Sequence, residues 1–246
     1  MQETFARYSK HYTRMGNVPP DWEEAEREPA KHRLAAPWLP ADPEARILDF
    51  GCGWGHLLRQ LWCSGYRNLE GVEVSESQYE VARTRAGGRV RLCRMDGREF
   101  LGAVVDKYDL VILSDVIEHV PVEEANGLLV AIREGLRPGG IVVVRTPNMA
   151  TLFSSYSRYL DMTHVAGYTE FSLMQILDAA SFENHRFVED DWGISWRRWR
   201  PWAPWRGTGL AALSNRLIHE ALYLLRGQHP RPTRFGFNLE VYSERV

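Results

Sequence analysis

From Arg46 onward, short apolar runs alternate with longer stretches that mix apolar and polar positions. The runs are Ile47-Leu48-Asp49-Phe50, Leu69 to Val74, Val90 to Cys93, Leu110 to Leu113 and Ile141 to Val144. They have the length and aliphatic content of strands buried on both faces. The stretches Gly55 to Leu61, Glu76 to Arg85 and Val122 to Leu136 predict helices between them. This alternation predicts βαβ units, hence an α/β fold: a doubly wound, mostly parallel sheet covered by helices on both faces. Gly139-Gly140, after Arg137-Pro138, predicts the stop of the last of these helices and a tight turn into the fifth strand. A helix from Ser172 to Ala180 is expected further on, with capping residues from Thr169, and strands over 184–190 and Phe235 to Tyr242. Residues 1–45 carry six prolines and predict a helical lead-in of short helices and loops; residues 46–246 form the domain proper.

The first strand runs into Gly51-Cys52-Gly53-Trp54-Gly55-His56, giving strand, glycine turn and helix. Glycines let the backbone take positive φ and approach a ligand closely, and the helix start aims free N–H groups at the same place. A dinucleotide site reads G-x-G-x-x-G around a pyrophosphate. Here the spacing is G-x-G-x-G, His56 stands where the third glycine would be, and Asp49 precedes the turn. A carboxylate there repels a pyrophosphate and suits a ligand bearing an ammonium and a sulfonium. Glu73, in Gly71-Val72-Glu73-Val74-Ser75, lies at the offset where an acid accepts from ribose hydroxyls.

These residues, with Met95-Asp96-Gly97, Tyr108-Asp109-Leu110-Val111 and Leu136-Arg137-Pro138-Gly139-Gly140, resemble the class I S-adenosylmethionine-dependent methyltransferases. The five blocks occur in the family's order between Arg46 and about Phe182. The resemblance implies a Rossmann-like seven-stranded sheet whose last strand, Phe235 to Tyr242, is antiparallel. It implies S-adenosylmethionine as cofactor and S-adenosylhomocysteine as product. It also implies a cofactor site of Asp49, Gly51, Cys52, Gly53 and Gly55 at the methionine part, Glu73 and Val74 at the ribose, Met95, Asp96 and Gly97 at the adenine, and Ser114 and Asp115 near the methyl group.

Composition narrows the setting. With 44% hydrophobic residues the chain builds a core, and a net charge of −2 gives no bulk attraction to nucleic acid. Three cysteines, an odd number in a long chain, point to a reducing, cytoplasmic compartment without a disulfide framework. The first seven residues lack the apolar segment of a secretory signal, and no run approaches a membrane span.

An aliphatic hydroxyl must lose a proton when it is methylated, and histidine is suited to accept one near neutral pH. His119 follows the fourth strand in Ser114-Asp115-Val116-Ile117-Glu118-His119-Val120-Pro121; His164 lies with Asp161 in the loop after the fifth. His119, His164 and Asp161 are the catalytic candidates, each with a plain structural alternative as a wall or brace of the pocket. Asp115, Glu118 and His119 are a candidate set for a divalent metal. A resemblance to ubiquinone-pathway O-methyltransferases, where a similar cluster is thought to bind a divalent ion, supports this set, whereas most relatives of the wider family need no metal.

Between the sixth and seventh strands a cap insertion, 192–234, carries five of the nine tryptophans and eight arginines against the single acid Glu220. The local charge is +7, which leaves −9 for the rest of the chain. Leucines at 210, 213, 217, 224 and 225 predict an amphipathic helix from Gly209 to Arg226. Such a segment suits peripheral contact with a membrane surface through 192–226, an acceptor bearing phosphate, or a second subunit in a homodimer, and these stay open. The expected reaction is methyl transfer to a hydroxyl of a saccharide, a lipid-linked glycan or a glycosylated metabolite. The alternatives are a quinone-like phenol, a small amine, or a catalytically silent cofactor-binding protein.

Overall fold

The computed structural model describes residues 8–103, 107–188, 210–227 and 229–246. Three short helices come first: α1 (Tyr8–Arg14), α2 (Trp22–Arg27) and α3 (Pro29–His32). Then strands and helices alternate as β1 (Ile47–Phe50), α4 (His56–Cys63), β2 (Leu69–Glu73), α5 (Glu76–Ala86), β3 (Arg91–Arg94), α6 (Gly97–Gly102), β4 (Tyr108–Ser114), a 3-10 turn (Ile117–His119), α7 (Val122–Gly135) and β5 (Leu136–Pro147). The chain continues through α8 (Ser154–Leu160), α9 (Glu170–Ala179), β6 (Glu183–Phe187), α10 (Leu210–Leu225) and β7 (Asn238–Glu244).

The seven strands form one sheet in the order β3-β2-β1-β4-β5-β7-β6. The first five are parallel; β7 enters antiparallel between β5 and β6. Successive strand residues bury on opposite faces, as the two-residue pleat requires. Leu48, Phe50, Val111, Leu113, Val142 and Val144 pack with Leu128, Leu129, Ile132 and Leu173 of α7 and α9. Ile47, Leu110, Ile112 and Val143 pack on the other face with Leu58 and Leu61 of α4 and with Trp22 and Trp38. The N-terminal lead-in therefore contributes to the core of that face.

Several boundaries differ from the sequence expectation. Helix α7 ends at Gly135, and β5 already begins at Leu136. Arg137 to Gly140 form an irregularity within the strand, between Leu136, which pairs with Tyr108, and Ile141, which pairs with Leu110. Hydrogen bonds from Gly139 N to Arg245 O and from Arg245 N to Gly140 O tie that segment to the chain's end, and this draws residues of turn composition into the sheet. Helices α6 and α8 have too few apolar positions to show a helical period. The final strand sits two to three residues later than expected, and position 189–190 of the sixth lies outside the described residues, as do positions 192–209 of the cap insertion. All three cysteines are free thiols.

The strand order reverses between β1 and β4. In an open α/β sheet the crevice at the C-terminal ends of the strands beside such a reversal is where ligands bind. The ends of β1, β2, β4 and β5 all open onto it.

Candidate functional site

At the end of β1 the chain turns through Gly51, Gly53 and Gly55, with φ of 76°, 54° and 83°. A Cβ on Gly51 would come 2.7 Å from Val116 Cγ2, and one on Gly53 would come 2.7 Å from Gln78 Oε1. Only glycine makes this cradle. Glu73, at the tip of β2, accepts from Gly53 N at 2.9 Å and from Ser75 N at 2.7 Å. A carboxylate has about four acceptor sites, so capacity remains for a ligand. Burial nevertheless pushes the Glu73 carboxyl up, against the lowering effect of those N–H donors.

Asp49 lies in the strand just behind the turn and is buried. Burial, then the neighbouring Glu73, push its carboxyl up to about 7. The amide oxygen of Gln78, also buried, has no hydrogen-bond partner. Two buried carboxylates and an unmatched acceptor around a glycine cradle fit a ligand that brings positive charge and donors. An ammonium, a sulfonium and ribose hydroxyls meet that need; a pyrophosphate does not. Further along the edge, Asp96 caps α6 by accepting from Arg98 N at 2.9 Å, and its carboxylate is exposed. A Cβ on Gly97 would fall 2.0 Å from Phe50 Cζ, so the tip of that ring fills the space beside the glycine next to Asp96. Met95 and Val74 are exposed beside it.

At the end of β4, Asp115 takes a left-handed backbone, φ 56°, and is ion-paired with Arg145 from β5. Arg145 also reaches Ser114 Oγ. Nothing in the sequence pattern marked this arginine, because an alternating strand position carries no sign of its cross-strand partner. The next turn places Glu118, which is 2% exposed. Its Oε2 accepts from Thr146 Oγ1 at 3.0 Å, while Oε1 has no hydrogen-bond partner. Burial, then Asp115, push the Glu118 carboxyl up to about 8. The carbonyl of Glu118 accepts from Val165 N and Ala166 N, which pins the loop after α8 over the end of β4.

That loop brings the three catalytic candidates together. Thr163 Oγ1 donates to Asp161 Oδ1 at 2.7 Å and lies 2.8 Å from His119 Nδ1. A hydroxyl has one proton, so toward the ring it accepts, and His119 carries hydrogen on Nδ1. His164 Nδ1 lies 2.9 Å from the Ser157 carbonyl, which can only accept, so His164 is also protonated on Nδ1. Burial, then the nearby His164, push the His119 imidazole down to about 4, so its ring is neutral at pH 7. The ligand atoms of Glu118, His119 and His164 lie within 4.8 Å of one another. Among the described residues, that is the set that converges. Asp115, the third member of the set suggested by sequence, is instead matched to Arg145.

Helix α1 closes over both halves. His11 Nε2 lies 3.3 Å from Asp161 Oδ2. Tyr12 is set edge-on to Trp54 of the glycine turn, with centroids 5.5 Å apart. Burial, followed by the charges of Asp115, Glu73, Glu118 and Asp161, push the Tyr12 phenol up to about 12. Sequence reading assigned α1 no part in the site. Helix α10 packs near the loop after β5, where His219 Nε2 accepts from Leu152 N and Tyr223 Oη donates to Ala150 O. A small cleft of about 60 Å³ lies there, lined by Thr151, Phe153, Asn215, Phe235 and Phe237.

Comparison with known proteins agrees with this geometry. The sequence profile of a methyltransferase-domain family matches residues 22–186. The chain is 26% identical over 197 residues to the cyclopropane-fatty-acyl-phospholipid synthase of Escherichia coli K12, covering 78% of this chain and 47% of that protein. It is 30% identical over 146 residues to the ubiquinone biosynthesis O-methyltransferase of Aeromonas salmonicida, covering 58% of this chain and 56% of that one. The chain thus spans about half the length of these curated relatives. Its fold is similar to that of a solved S-adenosylmethionine-dependent methyltransferase from Archaeoglobus fulgidus, with a TM-score of 0.65, 20% identity, and coverage of 96% of this chain and 99% of that one. It is also similar to the magnesium protoporphyrin IX methyltransferase of Synechocystis with the cofactor bound, with a TM-score of 0.56, 16% identity, and coverage of 100% and 95%. With its sheet order, its glycine cradle and a family match over more than half its length, the chain belongs to the class I S-adenosylmethionine-dependent methyltransferases.

Proposed function

We propose that this chain transfers the methyl group of S-adenosylmethionine to a hydroxyl of an acceptor that carries an apolar part, with a lipid-linked glycan as the leading candidate. The observation that carries this reading is the imidazole pair. His119 and His164 both hold hydrogen on Nδ1 through fixed partners, so both present an Nε2 lone pair. An amine needs only to be delivered as its free base, whereas an aliphatic hydroxyl needs an acceptor for its proton or its charge. Much of the remaining rate comes from holding oxygen, methyl carbon and sulfur in line.

The cleft among Phe153, Phe235 and Phe237 supports an apolar tail on the acceptor. Leu217, Ile218, Leu222, Leu224 and Leu225 are exposed on α10 beside it. The names of the relatives point the same way, one to an O-methyl transfer and one to a fatty-acyl phospholipid. A quinone-like phenol would use the same cleft and imidazoles, and a free or nucleotide-linked sugar would leave the cleft unused.

The deciding experiment incubates the protein with methyl-labelled S-adenosylmethionine and a panel of lipid-linked glycans, nucleotide-linked sugars, phenols with isoprenoid tails, and amines. Mass spectrometry then locates the label. Label on a hydroxyl of a tailed acceptor is expected. Label confined to amines would remove the hydroxyl reading, and label on free sugars alone would remove the role of the cleft.

A further inference from the structure

The buried carboxylate and the two imidazoles beside the methyl site make a second kind of site. We propose that Glu118, His119 and His164 bind a divalent transition-metal ion of the Zn²⁺ type. Their ligand atoms lie within 4.8 Å of one another. Bonds of about 2.0–2.2 Å to nitrogen and carboxylate oxygen would set them closer still, a movement small side-chain rotations supply.

Three features go beyond mere proximity. Glu118 is 2% exposed, and its Oε1 has no hydrogen-bond partner, although Oε2 is held by Thr146. A buried carboxylate with one oxygen satisfied and the other unmatched is costly by itself and is what a cation relieves. Each ring is also held from behind at Nδ1: His164 by the Ser157 carbonyl, and His119 by Thr163, which in turn is bound to Asp161. Partners of this kind fix the tautomer and aim Nε2 in metal-binding histidines. Finally, the ligands come from two segments that are locked together, since the Glu118 carbonyl accepts from Val165 N and Ala166 N. The distance between the Glu-His pair and His164 is therefore set by the fold.

Two histidines and one carboxylate leave coordination positions open, which is the pattern of a metal that meets a substrate. When bound, the ion supplies Lewis acidity to an acceptor oxygen. The imidazoles then hold the metal rather than meet the hydroxyl themselves. This deepens the hydroxyl reading, yet the site is tested without any acceptor.

The test is titration of the full chain with ZnCl₂ by calorimetry, with CoCl₂ as a visible-absorption probe of the ligand set. Saturable binding of about one ion per chain is expected, with Co²⁺ bands of nitrogen–oxygen ligation. Glu118→Gln and His164→Asn should each abolish that binding, and Thr163→Val should weaken it by about tenfold or more. Thermal melts and S-adenosylhomocysteine binding show that each variant is folded. Wild-type protein without saturable binding overturns the site, as does unchanged Zn²⁺ affinity in the folded Glu118→Gln and His164→Asn variants. If only one of those two variants folds, its Zn²⁺ affinity decides. A protein that binds Zn²⁺ through these residues but methylates only amines keeps the site and loses the hydroxyl reading.

Discussion

Glu73 Oε2 accepts a hydrogen bond from Gly53 N at 2.9 Å, which ties the tip of β2 to the middle of the glycine turn on β1. The carboxylate expected to hold the ribose is also the brace that shapes the methionine cradle. Glu73→Ala removes both functions. Each hydrogen bond between a ligand hydroxyl and the charged carboxylate contributes roughly 1.5–3 kcal/mol. Cofactor affinity should fall by at least tenfold, and the melting temperature should fall too, because Gly53 N and Ser75 N lose their acceptor. Glu73→Gln keeps one acceptor oxygen and should be intermediate. Calorimetry with S-adenosylhomocysteine reads the first effect and a thermal melt the second. Unchanged affinity in Glu73→Ala would remove Glu73 from the ribose site.

Asp49 gives a prediction of opposite sign for stability and binding. Burial and Glu73 raise its carboxyl to about 7 in the folded chain, from an ordinary 3.8. The folded state thus holds this proton more tightly than the unfolded state does. The associated stability is complete below about pH 4 and is lost as pH rises to about 7. Glu73 and Glu118 are raised as well and act in the same direction. By linkage the loss at Asp49 is on the order of a few kcal/mol at pH 8. Asp49→Asn should therefore raise the melting temperature of the ligand-free chain at pH 8, raise it less at pH 5, and weaken cofactor binding. Melts of both proteins across that range check it. A variant less stable than wild type at pH 8 would mean that the Asp49 carboxylate is already compensated without the cofactor.

The glycine turn, the place of Glu73 at a strand end and the parallel α/β layout were legible because each follows from local spacing, while the antiparallel last strand came only from the family resemblance. The G-x-G-x-G turn after an apolar run, an acid at the next strand's end and alternation of strand and helix all lie within a few dozen residues. The partner of Asp115 was not legible. Arg145 meets it only because β4 and β5 are neighbours in register, with Ser114 opposite Arg145. The contacts of helix α1 with the site were missed for a related reason, although short helices were expected in the lead-in. His11 and Tyr12 reach the site across more than a hundred residues of chain to Asp161, and no periodicity records such a contact. The proposed metal-ligand set was half legible. Glu118 and His119 are adjacent in sequence, but their third partner depends on how the loop after α8 is pinned.

The Thr163 relay separates orientation from binding. His119→Ala and His164→Ala should lower turnover far more than cofactor affinity, since the rings belong to the turn after β4 and the loop after α8 and not to the glycine turn after β1. Thr163→Val removes the hydroxyl that joins His119 Nδ1 to Asp161 and should lower turnover by about tenfold or more, while Thr163→Ser restores most of it. Steady-state kinetics with the acceptor found by the label experiment, together with S-adenosylhomocysteine affinities, make the comparison. Equal losses of turnover and cofactor affinity would reduce these residues to wall and brace.

Helix α1 is small, seven residues, and has little stability of its own. It is held by what it covers. Trp54 Nε1 donates to Ser9 Oγ at 3.3 Å on the cofactor side, and His11 meets Asp161 on the acceptor side. Tyr12 is half-buried between them, where desolvation, then the charges of four carboxylates, hold its proton on more firmly. A neutral phenol in that position would shield the proposed methyl site from water without adding charge. Replacing Tyr12 with Ala leaves the sheet and its two cores intact, since α1 belongs to neither apolar cluster. The global melting temperature should therefore change little. Cofactor affinity should fall, and uncoupled hydrolysis or slow turnover should appear, because both the edge contact with Trp54 and the roof over the carboxylates are lost. Tyr12→Phe keeps the ring and should retain the affinity. Binding and melting measurements on both variants distinguish a roof from a structural helix: a large drop in melting temperature with Tyr12→Ala, or full affinity in that variant, would show that α1 does not close the site.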